Sequence, residues 1–244
     1  DYSIVRLLEE LLQNTTIPWL RLLYLYPSGV SDELIRFLAG ERRITPYLDI
    51  PFQHVNDRIL KMMNRPYGYD LLEELVEKLR TAVPDVALRT TFLVGFPGET
   101  EAEFLQVEKF MKSFKLDHVG VFDYANEEGI PAAKLPDHLP DEEKIRRRDY
   151  LLEVQTVISR EKCHRYIGTV QDVLVEGVSS ETDLLLEGRT KYQAPEVDGC
   201  VYINAGNAAV GDIVQVGIEE AATYDLVGGI VGEAQAGKEN RKEP

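Results

Sequence analysis

Cysteine is scarce in this chain: 244 residues contain only Cys163 and Cys200. That excludes a disulfide framework, and also any iron–sulfur or zinc site built from cysteines of these residues alone. Long apolar runs are absent too, with none near the roughly 18 residues a membrane span needs, and the N-terminus shows no signal-peptide pattern. The expected setting is cytoplasmic, away from membranes. Positive charge is the third shortage. Lys and Arg number 27 against 42 for Asp and Glu, a formal net charge of -15. A chain this acidic is a poor generic nucleic-acid binder, since phosphate affinity comes from counterion release by Lys and Arg.

Forty-four per cent of the residues are apolar, which is enough to bury one large core or two unequal ones. Up to about residue 167 the chain alternates helix-period and strand-like segments. Helices are predicted over 3–13, 32–40, 57–64, 70–84 and 101–114, and strands over 19–27, 47–52, 87–96 and 117–125. Repeated βα units of this kind predict a parallel sheet, and the thinness of a four-stranded domain suggests that the chain starts inside one. A long helix over 141–162 follows, with Tyr150, Leu151, Val154, Val157 and Ile158 as its apolar stripe. From 168 the texture changes to short Val/Ile/Leu runs with Gly turns. Strands over 169–177, 184–190, 200–205, 213–221 and 224–231 predict a small closed barrel. Residues 168–231 hold 11 acids against Arg189 and Lys191. The expected organisation is therefore 1–140 αβ, 141–167 linking helix, 168–231 β-barrel and 232–244 disordered tail.

Three segments carry candidate chemistry. In LRTTFLVGFPGET (88–100) a strand opens through Gly95 and Gly98 into a helix beginning at Glu99–Glu101. The glycines permit close ligand approach, and a helix N-terminus can receive an anion. The alternative is an ordinary βα turn with a good cap. It is neither a Walker loop nor a dinucleotide fingerprint. In DIPFQHVNDR (49–58), Asp49, Gln53, His54 and Asn56 fall at a strand's C-terminal end, where α/β folds place their chemistry. The loop over 122–142 is acidic through Asp123, Glu127 and Glu128, and either frames a cleft or is a solvated connection. Arg21, Asp49 and Arg89 interrupt otherwise apolar strands. Buried charge is costly unless partnered, so these three pair with one another or line a polar cavity.

The runs YLDIPFQHVNDRILKMMNRPYG, ALRTTFLVGFPGETEAEF and VGVFDYANEEGIPAAKLPDHLP resemble the methylthiotransferase branch of the radical S-adenosylmethionine enzymes. LLLEGRTKYQAPEVDGCVYI and AAVGDIVQVGI resemble the TRAM domain of that branch. The resemblance implies the last four strands of a partial (βα) barrel followed by TRAM. It also implies two [4Fe–4S] clusters, one held by a CxxxCxxC loop that this chain lacks, so the fragment is expected to be inactive. S-adenosylmethionine is implied on the side of Arg89, Thr91, Leu93, Gly95, Gly98 and Glu99, although Thr91 stands where the family's pattern has Gly and Glu99 falls one place late. Asp49, Gln53, His54 and Asp123 are implied to face cavity or substrate. QHVNDRIL, EEGIPAA and APEVDG favour the members that β-methylthiolate an aspartate of ribosomal protein S twelve over the tRNA-adenosine members. The acidic barrel agrees, being matched to a basic protein partner rather than to tRNA. A non-catalytic binding scaffold is the reading from a different class.

Overall fold

The computed structural model describes residues 3–231, so the expected tail at 232–244 lies outside the described residues. The chain divides into two compact units, with the division between Ile158 and Ser159. In the first unit, α1 (Ile4–Asn14), α2 (Asp32–Gly40), α3 (Asp57–Met62), α4 (Tyr69–Ala82) and α5 (Glu101–Phe114) alternate with β1 (Leu20–Leu22), β2 (Ile44–Asp49), β3 (Ala87–Val94) and β4 (His118–Asp123). The strands form one parallel sheet in sequence order, as βα repetition requires. α6 (Asp141–His164) runs unbroken across the division between the units. Among the described residues no helix is long and apolar enough to cross a membrane.

Helix periodicity translates directly into burial. Phe104, Val107, Phe110 and Met111 of α5 are fully buried, as are Leu72, Val76 and Leu79 of α4 at most 1% exposed. Phe110 is the hub of an aromatic cluster, with ring centroids 5.9 Å from Phe52, 5.6 Å from Tyr69 and 4.4 Å from Phe114. Two expectations need correction. The strand predicted over 19–27 is only three residues long, because the chain turns at Tyr24 with φ 58°. In α6 the stripe includes Leu151 and Ile158, but Val157 is 69% exposed.

The second unit is a closed barrel in the order β5-β6-β7-β9-β8, where β5 is Val170–Val178, β6 Leu186–Thr190, β7 Val201–Ala205, β8 Ile213–Ala221 and β9 Leu226–Ile230. Alternate residues such as Val173, Val175, Val214, Val216 and Ile218 point inward and fill it. Closure leaves no free edge. At the β8–β9 contact a side chain on Gly228 would run into the Gly217 carbonyl, so glycine there is a close-approach requirement.

Phe110→Ala removes the aromatic hub beneath the β2 strand end. It should lower the unfolding free energy by about 3–5 kcal/mol in denaturant titration, the range for truncating a fully buried phenylalanine.

Candidate functional site

Side chains of β3 alternate. Leu88, Thr90, Phe92 and Val94 are buried on the helix-covered face, and Arg89, Thr91 and Leu93 are partly exposed on the other. Neighbouring strands extend that second face: Asp49 lies beside Arg89, His118 beyond it, Gly120 beside Thr91 and Phe122 beside Leu93. The Arg89 Nε stands 3.8 Å from the Asp49 Oδ1, and Asp49 Oδ2 accepts the Tyr24 N–H at 3.2 Å. Arg21 stacks on the Tyr47 ring at 4.4 Å, and that ring lies 5.7 Å from His118. Phe122 is 60% exposed. A parallel sheet ordinarily buries apolar residues on both faces. This one instead presents a face of mixed charge with an open aromatic edge, chemistry suited to a ligand that carries both charged groups and a ring.

The strand ends above this face are tied together by buried polar groups. Beyond β2 the chain rejoins β3 at Gln53, whose N–H donates to the Thr91 carbonyl at 2.8 Å and whose carbonyl accepts from the Leu93 N–H at 2.7 Å. Gln53 adopts φ 66°. The next residue, His54, is fully buried and accepts the Asn56 N–H on Nδ1 at 2.9 Å. An accepting Nδ1 carries no proton, so the ring's proton is on Nε2, which donates to Glu99 Oε1 at 3.1 Å. The other Glu99 oxygen accepts the Gly95 amide and pairs with Arg147 at 3.1 Å. Arg147 also donates to the Glu99 carbonyl at 3.1 Å, to Glu143 at 2.7 Å and to Glu101 at 3.3 Å. A fully buried carboxylate is tolerable because both of its oxygens meet donors, one of them charged.

The turn itself needs glycine at Gly95 on two counts. Its φ is 72°, and a Cβ there would lie 2.6 Å from Lys144 Cγ of α6. Gly98 follows at φ 76°; its N–H donates to the Asp137 carbonyl at 2.8 Å, and its carbonyl accepts from Arg58 at 2.7 Å. The N-terminus of α5 is occupied by the chain's own groups rather than offered to an anion. Thr100 and Glu103 form a capping box, and Glu103 pairs with Arg58 at 2.6 Å. Arg58 beside it, with the Thr100 hydrogen bonds, holds the Glu103 carboxyl down to about 2.

The expected site residues therefore separate into four places. Asp49, Arg89, Thr91 and Leu93 share the open face; Gln53 sits half-buried at its strand end; and His54, Gly95, Gly98 and Glu99 build the turn, with His54 and Glu99 buried against each other. Asp123 is drawn to Arg148 of α6 at 2.8 Å. Sequence reasoning passed over Arg147, Lys144 and Arg148. Their only signal was the run Arg146–Arg148 in a helix opening on three acids. Cys163 and Cys200 are half-buried, and burial pushes the Cys200 thiol up to about 12. Among the described residues no group of three or more His, Cys, Asp or Glu could hold a metal ion. The residues present do not fit an iron–sulfur cluster.

Two outcomes follow from this geometry. Glu99→Gln keeps the shape but removes the fully buried carboxylate facing Arg147, which retains Glu143 and Glu101, and should cost about 1–3 kcal/mol of stability in urea titration. The pH dependence comes from Glu103. Its folded value lies below the ordinary 4.5, so the stability it contributes is present above that range and is lost as pH falls from 4.5 towards about 2. Glu103→Gln should make the acid limb of the stability curve shallower, measured by thermal melts across that range.

Comparison with known proteins places this geometry. The model of the radical SAM superfamily matches residues 1–111, and that of the TRAM domain matches 167–231. The ribosomal protein uS12 methylthiotransferase RimO of Desulfotalea psychrophila is 59% identical over 231 residues, 95% of this chain and 52% of that protein. Its namesake from Syntrophotalea carbinolica is 49% identical over 95% of this chain and 51% of its own, and that from Bdellovibrio bacteriovorus 45% over 94% and 50%. The chain thus spans about half the length of the curated relatives it matches. Among solved structures, coproporphyrinogen III oxidase (HemN) from Escherichia coli, described as a radical SAM enzyme, aligns with TM-score 0.50 and 17% identity over 77% of this chain and 50% of that one. That likeness is one of fold. The radical SAM match thus falls on the parallel sheet with its polar open face, and the TRAM match on the closed five-stranded barrel that follows.

Proposed function

We propose that this chain is part of a cytoplasmic radical S-adenosylmethionine methylthiotransferase whose substrate is an aspartate of ribosomal protein S twelve. The observation that carries the reading is the 59% identity with a uS12 methylthiotransferase over 95% of the chain, a stretch that includes both units. The open face supports it. Arg89, Asp49, Thr91 and Gln53 offer charged and hydrogen-bonding groups along the strand ends, where S-adenosylmethionine would lie, and the Gly95–Gly98 turn with Glu99 supports that rim from below. Bound along these strand ends and reduced by one electron from a cluster held elsewhere in the protein, S-adenosylmethionine would supply the radical that abstracts hydrogen, with methionine as the other product. This chain's residues orient it and keep water from the buried side. Cluster binding falls to cysteines other than Cys163 and Cys200, so the 244 residues alone are proposed to be inactive.

The partner follows from charge. Residues 168–231 hold 11 acids, and of the two bases Arg189 is already paired with Glu176. A surface of this sign attracts a basic ribosomal protein and repels the phosphates of tRNA. Glu181, Asp183 and Glu196 are exposed and Glu187 half-buried, whereas Asp198 holds the Ala194 amide at 2.8 Å and is a structural acid. The test neutralises Glu181, Asp183, Glu187 and Glu196 together as amides. Association with the ribosomal protein should slow by about fivefold and lose salt dependence, as expected for rim charges, while tRNA binding does not weaken. Tighter binding of tRNA than of ribosomal protein by the unaltered chain would contradict the assignment.

A further inference from the structure

At the ends of three successive strands the chain turns through the left-handed region: Tyr24 after β1 at φ 58°, Gln53 after β2 at φ 66° and Gly95 after β3 at φ 72°. Glycine is the default residue for this conformation, and β3 uses it. Tyr24 does not. A bulky side chain at positive φ is disfavoured and persists only where something holds it.

The backbone of this turn is held firmly. Asp49 accepts the Tyr24 N–H on Oδ2 at 3.2 Å, and its carbonyl accepts the Leu25 N–H at 2.8 Å. Both bonds involve main-chain donors and are indifferent to the side chain at 24. The ring has no comparable role. It is 82% exposed, and among the described residues its phenol makes no hydrogen bond and its ring no aromatic contact. The fold therefore needs the turn but gains nothing from a tyrosine in it. Strain kept at an exposed position beside the polar face of the sheet indicates a use for the side chain outside the fold.

We propose that Tyr24 is a substrate-contacting residue whose ring packs on a basic segment of polypeptide reaching the open face. This rests on the reading in which the partner is a basic protein. The chemistry matches on two counts. The face of a tyrosine attracts Arg and Lys side chains, and Asp49 lies directly behind the turn on a chain of net charge -15. Tyrosine is also among the residue types enriched as anchors of protein interfaces, because it supplies large area with few rotatable bonds. Leu23 and Tyr26, 42% and 38% exposed, widen the apolar surface around it.

The test separates strain from contact. Tyr24→Gly, Tyr24→Ala and Tyr24→Phe are compared with the unaltered 244-residue chain by thermal unfolding, and by titration with purified ribosomal protein S twelve and with unfractionated tRNA. Tyr24→Gly should leave the melting temperature unchanged or raise it by up to about 3 °C, since it relieves the positive φ. Tyr24→Ala, which keeps the strain, should not gain. Affinity for the ribosomal protein should fall about tenfold in both, and stay within about twofold in Tyr24→Phe, which retains the ring. A melting temperature lowered by several degrees in Tyr24→Gly would make the ring structural and overturn the inference. Unchanged ribosomal-protein affinity in Tyr24→Gly would overturn it while leaving the proposed function standing. Failure of the unaltered chain to bind that protein would overturn both, and a loss confined to tRNA would assign the ring to base stacking instead.

Discussion

A carboxylate sealed from water has to find all of its hydrogen-bond donors within the protein, and in the first unit that group is Glu99. Its oxygens meet His54 from the loop after β2, the Gly95 amide from the turn after β3, and Arg147 from α6. Three separate segments are thus brought to one point, and none can move without leaving a buried charge short of a partner. The shape of the strand ends follows. Gln53 is held in its left-handed conformation next to His54, and the turn at Gly95 is clamped from above by Lys144. A ligand-binding rim built this way is set before any ligand arrives.

The same arrangement accounts for the two-sided character of the sheet. One face is sealed by helices through a continuous core from Val5 to Ile158. The other carries Arg89 beside Asp49 at 3.8 Å and Arg21 over the Tyr47 ring at 4.4 Å. Such pairs add little to stability against a dry alternative. Their value lies in offering a face that is polar, yet already organised.

How far this could be read from the sequence depends on the range of the cause. Helices α4 and α5 were legible because the stripes that define them repeat within a few residues. In β3 Arg89 stood out as the one charge in an otherwise apolar run, but the alternation of buried and open positions was not legible, because the run is apolar on both faces. Nor was the partnership of His54 with Glu99, since 45 residues separate them, and Arg147 lies 48 residues beyond Glu99. No local pattern reports contacts of that range. Strand β1 was overextended for a related reason. WLRLLYLYP has strand composition throughout, and it is Asp49, 25 residues away, that breaks it at Tyr24. Glycine would have signalled the turn, and the chain has tyrosine there. Arg147 is the clearest omission, because a basic run in a long helix ordinarily faces solvent.

The link between the two strand ends requires that His54 carry a proton on Nε2, donating to Glu99, and leave Nδ1 to accept the Asn56 amide. Nitrogen-15 NMR of selectively labelled histidine distinguishes the two tautomers directly by the shifts and couplings of the ring nitrogens. At neutral pH the His54 signal should show a protonated Nε2 and a bare Nδ1, and Glu99→Gln should perturb Nε2 more than Nδ1. A proton found on Nδ1 would mean that the bond to Glu99 does not exist as described, and the buried link between the two strand ends would have to be abandoned.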